Sequence, residues 1–194
     1  MGRLIGAVGP CTIRPQRRSP FEALVRAVAH QQLNGKAADT ITRRFLELFP
    51  GRRFPSPLEV ESIDEARIRA AGFSGAKVRA IRDIATKARE GIVPARGTLA
   101  RLDDEAIVER LTQCRGVGRW TVEMFLMFTL ARPDVLPADD FGVRNGFQLL
   151  YGLPEMPRPG ELLQFGERWR PYRTTASWYL WRAVDLVRSG KTIG

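Results

Sequence analysis

With 194 residues, 44% hydrophobic and 27% charged, the chain has ordinary globular composition, which excludes a disordered or collagen-like polymer. Its length suits one domain or two tightly joined lobes. The longest apolar run, Met124 to Ala131, falls far short of the roughly 20 residues that a bilayer span needs. The first ten residues are too short and weak for a signal peptide, and Gly6 stands where a myristoylation signal needs Ser or Thr. Two cysteines, Cys11 and Cys114, cannot build a disulfide framework, so a reduced, cytoplasmic protein without a membrane partner is expected. Charge points to a partner: 31 Lys and Arg against 21 Asp and Glu give +10, a balance suited to a polyanion such as nucleic acid. The excess is uneven, because residues 101–150 carry six basic and eight acidic groups. Only four of the cations are lysines, a bias that genomic base composition explains without function.

Helical signals dominate in chain order. Ser19-Pro20 is an N-cap followed by proline at the first helical position, and Phe21, Leu24, Val25 and Val28 recur at helical spacing to about Gln32. Asn34-Gly35 breaks that helix. Ala37, Ile41, Phe45 and Leu48 mark a second, closed by Pro50-Gly51. After a loop over Arg52 to Pro57 come a short helix from Ile63 to Ala71 and a longer one from Ser74 to Glu90. Residues 91–98 read as a connector. Asp103 opens a helix through Leu111, and Gly118 or Arg119 opens the next, through Leu130. Pro133 to Pro137 is a loop, Phe141 to Leu150 a helix and 152–160 another loop, before Pro171 opens a last helix to about Val187. No segment alternates with strand period. The predicted fold is all-α with about ten helices, the first preceded by about eighteen residues without a helix signal.

Four motifs could carry chemistry. Gly116-Val117-Gly118 sits between two apolar-periodic helices, where glycines permit a tight turn and bare N–H groups could hold a phosphate. A plain helical hairpin with glycine punctuation accounts for it equally well. Asp139-Asp140 follows a proline loop and precedes a helix, so one carboxylate can cap that helix and the other point elsewhere. His30-Gln31-Gln32 clusters polar groups where a helix ends. A single histidine argues against zinc and against a Ser-His-Asp system. Finally, Trp169, Tyr172, Trp178, Tyr179 and Trp181 crowd the last helix region among arginines, as core or as a stacking surface for a base.

Together, Gly116-Val117-Gly118-Arg119-Trp120-Thr121 and Leu136-Pro137-Ala138-Asp139-Asp140 resemble the helix-hairpin-helix, Gly/Pro-loop and Asp signature of the base-excision DNA glycosylases. Pro20 to Ala27 with His30-Gln31-Gln32, Gly72-Phe73-Ser74-Gly75-Ala76-Lys77, Trp169 to Arg173 and Ala176 to Trp181 are similar to the AlkA-type 3-methyladenine branch. The resemblance covers about residues 19–188. It implies two helical lobes, the central one about 19–132 with the hairpin 107–130, and a second from 133–194 with the N-terminal segment, with a cleft between them. It further implies that a monomer binds double-stranded DNA and flips a damaged base into that cleft.

By the same resemblance Asp140 is the catalytic carboxylate, stabilising an oxocarbenium ion and orienting water. Asp139 caps the helix. Trp120, Trp178, Trp181 and Met124 line a base pocket. Gln32, or Gln31, fills the gap left in the duplex. Gly116, Gly118, Arg119 and Lys77 contact DNA. No cofactor is required, although carbonyls of Thr112, Cys114 and Val117 could hold a structural Na⁺ or K⁺. Trp120 stands where lyase relatives place a lysine, so a monofunctional enzyme is expected. No cysteine follows Cys114, so an iron–sulfur cluster is not expected, nor is the N-terminal β domain of longer relatives. The implied substrates are cationic alkylpurines. A non-catalytic damage-binding module, or a glycosylase for deaminated or etheno bases, remains open. The site of action would be the nucleoid or, in a eukaryote, the nucleus.

Overall fold

Serine, aspartate and proline punctuation sets most of the helix starts in a computed structural model that describes residues 1–33 and 35–192. Asn34, expected to break the first helix, lies outside the described residues. Twelve α-helices and no strand are found among them. They are α1 (Gly2–Val8), α2 (Pro20–His30), α3 (Gly35–Glu47), α4 (Pro57–Ser62), α5 (Glu65–Ala70), α6 (Gly75–Arg89), α7 (Arg96–Leu99), α8 (Asp104–Leu111), α9 (Arg119–Phe125), α10 (Phe141–Tyr151), α11 (Pro159–Gly166) and α12 (Arg173–Arg188). None is long and apolar enough to cross a membrane. The all-α expectation holds, but the helices exceed the ten expected. α1 occupies residues read as lacking a helix, and α4, α7 and α11 fall in or beside stretches read as loops.

The chain divides into two units. Arg17–Phe125 forms one, and Met1–Gln16 with Leu126–Gly194 forms the other. The division falls at Phe125, earlier than residue 132.

In the Arg17–Phe125 unit, α2 packs against α3, α6 and α9, and α8 packs against α9. Ser19, Ser56, Asp64, Ser74 and Asp103 each accept a backbone N–H at a helix start, which satisfies donors the helix itself cannot. The apolar faces of these helices meet over Leu24, Val25, Phe45, Ile68, Ile81, Ile84, Ile107 and Leu111, all at most 2% exposed. Phe45 sits edge-on to both Phe49 and Phe73.

In the other unit, α10 packs along α12, and α1 packs against the far part of α12. One apolar cluster joins Leu136, Val143, Phe147, Leu162 and Leu180, and another joins Leu4, Trp178, Tyr179 and Ala183. Tyr179 Oη donates to the Gly9 carbonyl (2.9 Å), fastening the segment after α1 to α12. Residues Leu126–Leu130 form a π-helical turn directly after α9.

Candidate functional site

The loop that delivers Asp140 is fixed by α12. Thr174 Oγ1 donates to the Arg132 carbonyl (2.6 Å) and accepts from Val135 N (3.0 Å). Arg173 grips Asp134 through Nε to Oδ1 (2.8 Å) and Nη2 to Oδ2 (3.0 Å), and Arg170 Nη1 adds a 2.7 Å bond. Burial pushes the Asp134 carboxyl up, but the bonds from Arg173 and the charge of Arg170 outweigh it and hold the group below the ordinary range. A tight turn follows, with Asp140 N donating to the Pro137 carbonyl (3.0 Å), and α10 begins.

Asp140 is the N-cap of α10. Its Oδ1 accepts from Val143 N (2.8 Å) and from Trp181 Nε1 on α12 (2.8 Å). One carboxylate oxygen thus takes a helix-terminal N–H and an indole N–H, and the cap geometry and the indole orient the group together. Both donors, with the positive end of α10, stabilise negative charge there. Asp139 is exposed and is not the cap, which corrects the sequence expectation. The cap belongs to the residue immediately before the first helical one, and that residue is Asp140.

Close helix contact makes the pairing possible. A Cβ on Gly142 would lie 2.8 Å from Trp181 Cδ1 and 3.2 Å from Asp140 Oδ1. Phe128, from the π-helical turn, stacks on the Trp181 ring (centroids 6.0 Å, 24°). Trp178, expected to line a base pocket, is only 9% exposed and packs in the core with Leu4, Tyr179 and Ala183. This is a second correction: Trp178, one turn before Trp181 on the same helix, is taken up by packing against Leu4 of α1.

The Arg17–Phe125 unit carries the hairpin. Gly116 needs its glycine, since φ is 76° and a Cβ would meet Ala80 Cβ at 3.1 Å. Gly118 has no heavy atom within 4 Å of where a Cβ would stand. Gln31 Nε2 donates to the Gly116 carbonyl (2.9 Å), and Asp83 Oδ2 accepts from Arg115 N (2.7 Å). Lys77 donates to the carbonyls of Ala29 (2.8 Å) and Gln31 (2.7 Å), so its ammonium caps the end of α2, and burial lowers its pKa. Arg119 forms a two-pronged pair with Glu105 (2.9 and 2.6 Å). Both cations expected to contact DNA are therefore engaged within the protein.

Gln31, Gln32, Trp120 and Met124 do come together, with Ala27, His30 and Thr121, around a cavity of about 400 Å³. Gln32 is exposed with φ of 56°, a left-handed conformation that a non-glycine residue seldom adopts. Trp120 is 43% exposed. Cys114 is 2% exposed, and burial, aided by the Asp83 charge, pushes its thiol up to about 11. The Cys114 carbonyl accepts from Val117 N (3.1 Å), and the Thr112 and Val117 carbonyls flank the same turn. Among the described residues no group of three or more His, Cys, Asp or Glu could hold a metal ion.

Sequence reasoning missed three residues of this site. Gly142 and Gly146 form a small-x-x-x-small pair that was legible as a close-packing face of α10. Phe128 gave no signal, because its position depends on the π-helical turn.

Residues 25–171 match the HhH-GPD superfamily base excision DNA repair protein family. The chain is 43% identical to DNA-3-methyladenine glycosylase 1 of Schizosaccharomyces pombe over 195 aligned residues, covering 98% of this chain and 85% of that protein. A solved structure of the 3-methyladenine DNA glycosylase of that yeast, in complex with abasic DNA, superposes with a TM-score of 0.84 at 43% identity, covering 93% and 89% of the two chains. A DNA-3-methyladenine glycosidase structure from Bacillus halodurans superposes with a TM-score of 0.87 at 32% identity, covering 99% and 88%.

Proposed function

This chain belongs to the HhH-GPD superfamily of base excision DNA repair proteins, and from that premise we propose that it is a monofunctional DNA glycosylase that hydrolyses the N-glycosidic bond of alkylated purines such as 3-methyladenine and 7-methylguanine. The observation that carries the reading is the Asp140 carboxylate, held at a helix N-terminus by Val143 N and by Trp181 Nε1. A structural cap needs the first bond and has no use for the second.

The chemistry follows from charge. An alkylated purine is already cationic and departs readily, leaving positive charge on the sugar. A fixed carboxylate lowers the energy of that oxocarbenium ion and orients the water that attacks it. The target nucleotide must leave the stack first, and unstacking costs a few kcal/mol. Gln32 is the side chain that enters the vacated duplex position, because Gln31 is tied to Gly116 and Gln32 is exposed in a strained conformation. Trp181, bonded to Asp140, offers an electron-rich ring to a cationic base. The Gly118 turn and the start of α9 present N–H groups to a phosphate.

The reaction needs no cofactor. A monovalent cation would be held by the carbonyls of Thr112, Cys114 and Val117, where it would add positive charge toward a DNA phosphate. The protein acts as a monomer on duplex DNA, in the nucleoid or nucleus. The test is base release from a panel of single-lesion duplexes, followed with and without alkali. Release of 3-methyladenine and 7-methylguanine with strand breaks only after alkali is the expected outcome. A panel left intact throughout would refute the assignment.

A further inference from the structure

One charged surface of the Arg17–Phe125 unit lies where the hairpin makes no use of it. α2 runs through this unit like an axle, packing against α3, α6 and α9 with seven of its eleven residues buried. At 1.5 Å of rise per residue its two ends stand roughly 16 Å apart. The C-terminal end holds the hairpin: Gln31 binds the Gly116 carbonyl, and His30, Gln31 and Gln32 line the cavity beside Trp120. The N-terminal end gathers arginines instead.

Glu22, buried in the first turn of α2, accepts from Arg26 Nε (2.9 Å), and Arg18 Nε lies 3.9 Å from the same carboxylate oxygen. Phe54 brings a second arginine pair to this end. Its ring packs edge-on to Phe21 of α2 (5.8 Å) and lies under the Arg26 guanidinium (5.4 Å), which seats Arg52 and Arg53 near the start of the helix. Burial lowers the Arg18 pKa, and the charges of Arg26 and Arg53 lower it further against the pull of Glu22, so Arg53 stands within electrostatic reach of Arg18. Arg52 has Glu59 for a partner (3.5 Å). Arg17 and Arg53 are exposed, and neither forms an ion pair among the described residues. Glu22 and Glu59 thus answer three of these guanidiniums, and the other two have no counter-charge in the protein.

Guanidinium forks match the geometry of phosphate oxygens, and a group of them short of carboxylates attracts a polyanion. Duplex DNA offers a negative charge about every 1.7 Å of its axis, denser than an acidic polypeptide, and is the polyanion that this protein meets if it acts as read above. Resting on that reading, we propose that the surface of Arg17, Arg18, Arg52 and Arg53 is a second duplex-binding site, which holds the phosphates of an undamaged duplex while the hairpin end holds another. DNA is stiff, with a persistence length of about 150 base pairs, so a short duplex seated at the hairpin end does not turn back to the opposite end of α2. The second site reads no bases, since phosphate contacts carry no sequence information, and it takes any sequence. With it the enzyme keeps hold of one stretch of DNA while it tests a neighbouring one.

The test is energy transfer between a donor-labelled abasic duplex, held at saturation, and an acceptor-labelled undamaged duplex, both far shorter than the persistence length. The proteins are the wild type, the double variant Arg17→Gln with Arg53→Gln, and, as a control for net charge, Arg67→Gln with Arg69→Gln on α5, with folding checked by melting temperature. The wild type should bring the two duplexes together. The Arg17, Arg53 variant should bind the undamaged duplex at least about tenfold more weakly at about 50 mM salt, and its slope of log affinity against log salt should be shallower by roughly two, one for each phosphate contact removed. It should hold the abasic duplex and release 7-methylguanine from a short duplex like the wild type. The α5 control should match the wild type throughout. Absence of energy transfer in the wild type overturns the proposal, as does a second duplex that the Arg17, Arg53 variant binds unchanged or the α5 control loses equally. Polyglutamate that displaces the undamaged duplex at a lower concentration of charge than unlabelled duplex overturns it in favour of an acidic protein partner. Base release decides the earlier reading separately: energy transfer without release of 7-methylguanine overturns the glycosylase assignment and leaves the second site standing.

Discussion

Gly146 lies against the backbone of Leu180 so closely that a Cβ there would stand 1.9 Å from the Leu180 carbonyl oxygen. α10 and α12 therefore touch main chain to main chain, and one turn toward the N-terminus of α10 the same contact brings Asp140 to Trp181. Gly146→Ala must force the helices apart. Overpacking of this kind costs roughly 1–3 kcal/mol, and more where backbone is the obstacle, so a clear fall in the urea midpoint is expected. Gly142→Ala meets side chains only, the edge of the Trp181 ring and the Asp140 carboxylate, which can yield. It should cost less stability but displace the indole from Asp140, and so lose excision rate out of proportion to its melting temperature.

Substituting Asp140 separates its two duties. Asn caps a helix about as well as Asp, so Asp140→Asn should fold and bind DNA like the wild type while losing at least about 10²-fold in base release. Asp140→Ala should lose that and also about 1 kcal/mol of stability. Asp139→Asn should excise normally. An inactive Asp139→Asn with an active Asp140→Asn would place the chemistry on the other carboxylate.

The two hairpin glycines answer to different constraints. Gly116→Ala enters a left-handed conformation against Ala80, and thermal melting should show the loss. Gly118→Ala adds a Cβ that meets no heavy atom within 4 Å. It should melt like the wild type yet bind abasic duplex more weakly, because the side chain would stand where a DNA backbone must approach. Equal affinity for the two proteins would remove the hairpin from the DNA interface.

Borohydride should trap no covalent protein–DNA adduct. Trp120 has no amine, the Lys77 ammonium is bound to two carbonyls, and Lys87 pairs with Glu90 (3.3 Å). Strand breaks should appear only after alkali or heat. A robust adduct would show that some amine reaches the sugar.

The Cys114 thiol should stay inert near neutrality, since burial raises its pKa to about 11. At pH 8 a disulfide reagent should label the partly exposed Cys11 quickly and Cys114 only on unfolding. The raised value also has a sign: the unfolded thiol ionises near 8.5, so this contribution to stability is complete below that pH and is lost as pH climbs toward about 11. Cys114→Ser should flatten the alkaline limb of the stability curve.

The sequence was most readable where caps and hydrophobic period agree, as in α2, α6, α8 and α10, whose starts carry Ser19, Ser74, Asp103 and Asp140. α1 escaped because its cap makes no side-chain bond and two glycines weaken its propensity. α4 need not have escaped, since Ser56 and Glu59 form a capping box. Adjacent aspartates cannot be told apart by type alone; the extended backbone of Asp140 and a partner three residues on decide which one caps. Trp178 and Trp181 posed the same problem on one helix. Which ring reaches the carboxylate and which fills the core depends on how α1 and α10 lie on α12, and no local pattern encodes that.

The unit holding Asp140 is assembled from both ends of the chain, with residues 1–16 joined to 126–194. Tyr179 Oη reaches the Gly9 carbonyl across 170 positions of sequence. In chain order α1 comes before residues 17–125, and its partner α12 comes after them. Residues 17–125, one continuous stretch, can condense while synthesis continues. The carboxylate's unit must wait for α12, with its opening helix unpartnered by α12 until then. Unfolding need not run as a simple reversal, because freeing α1 alone strips the cover from Trp178 while leaving the α10–α12 seam intact. Deleting residues 1–16 would accordingly loosen the half of the molecule that bears the chemistry and spare the half that bears the hairpin.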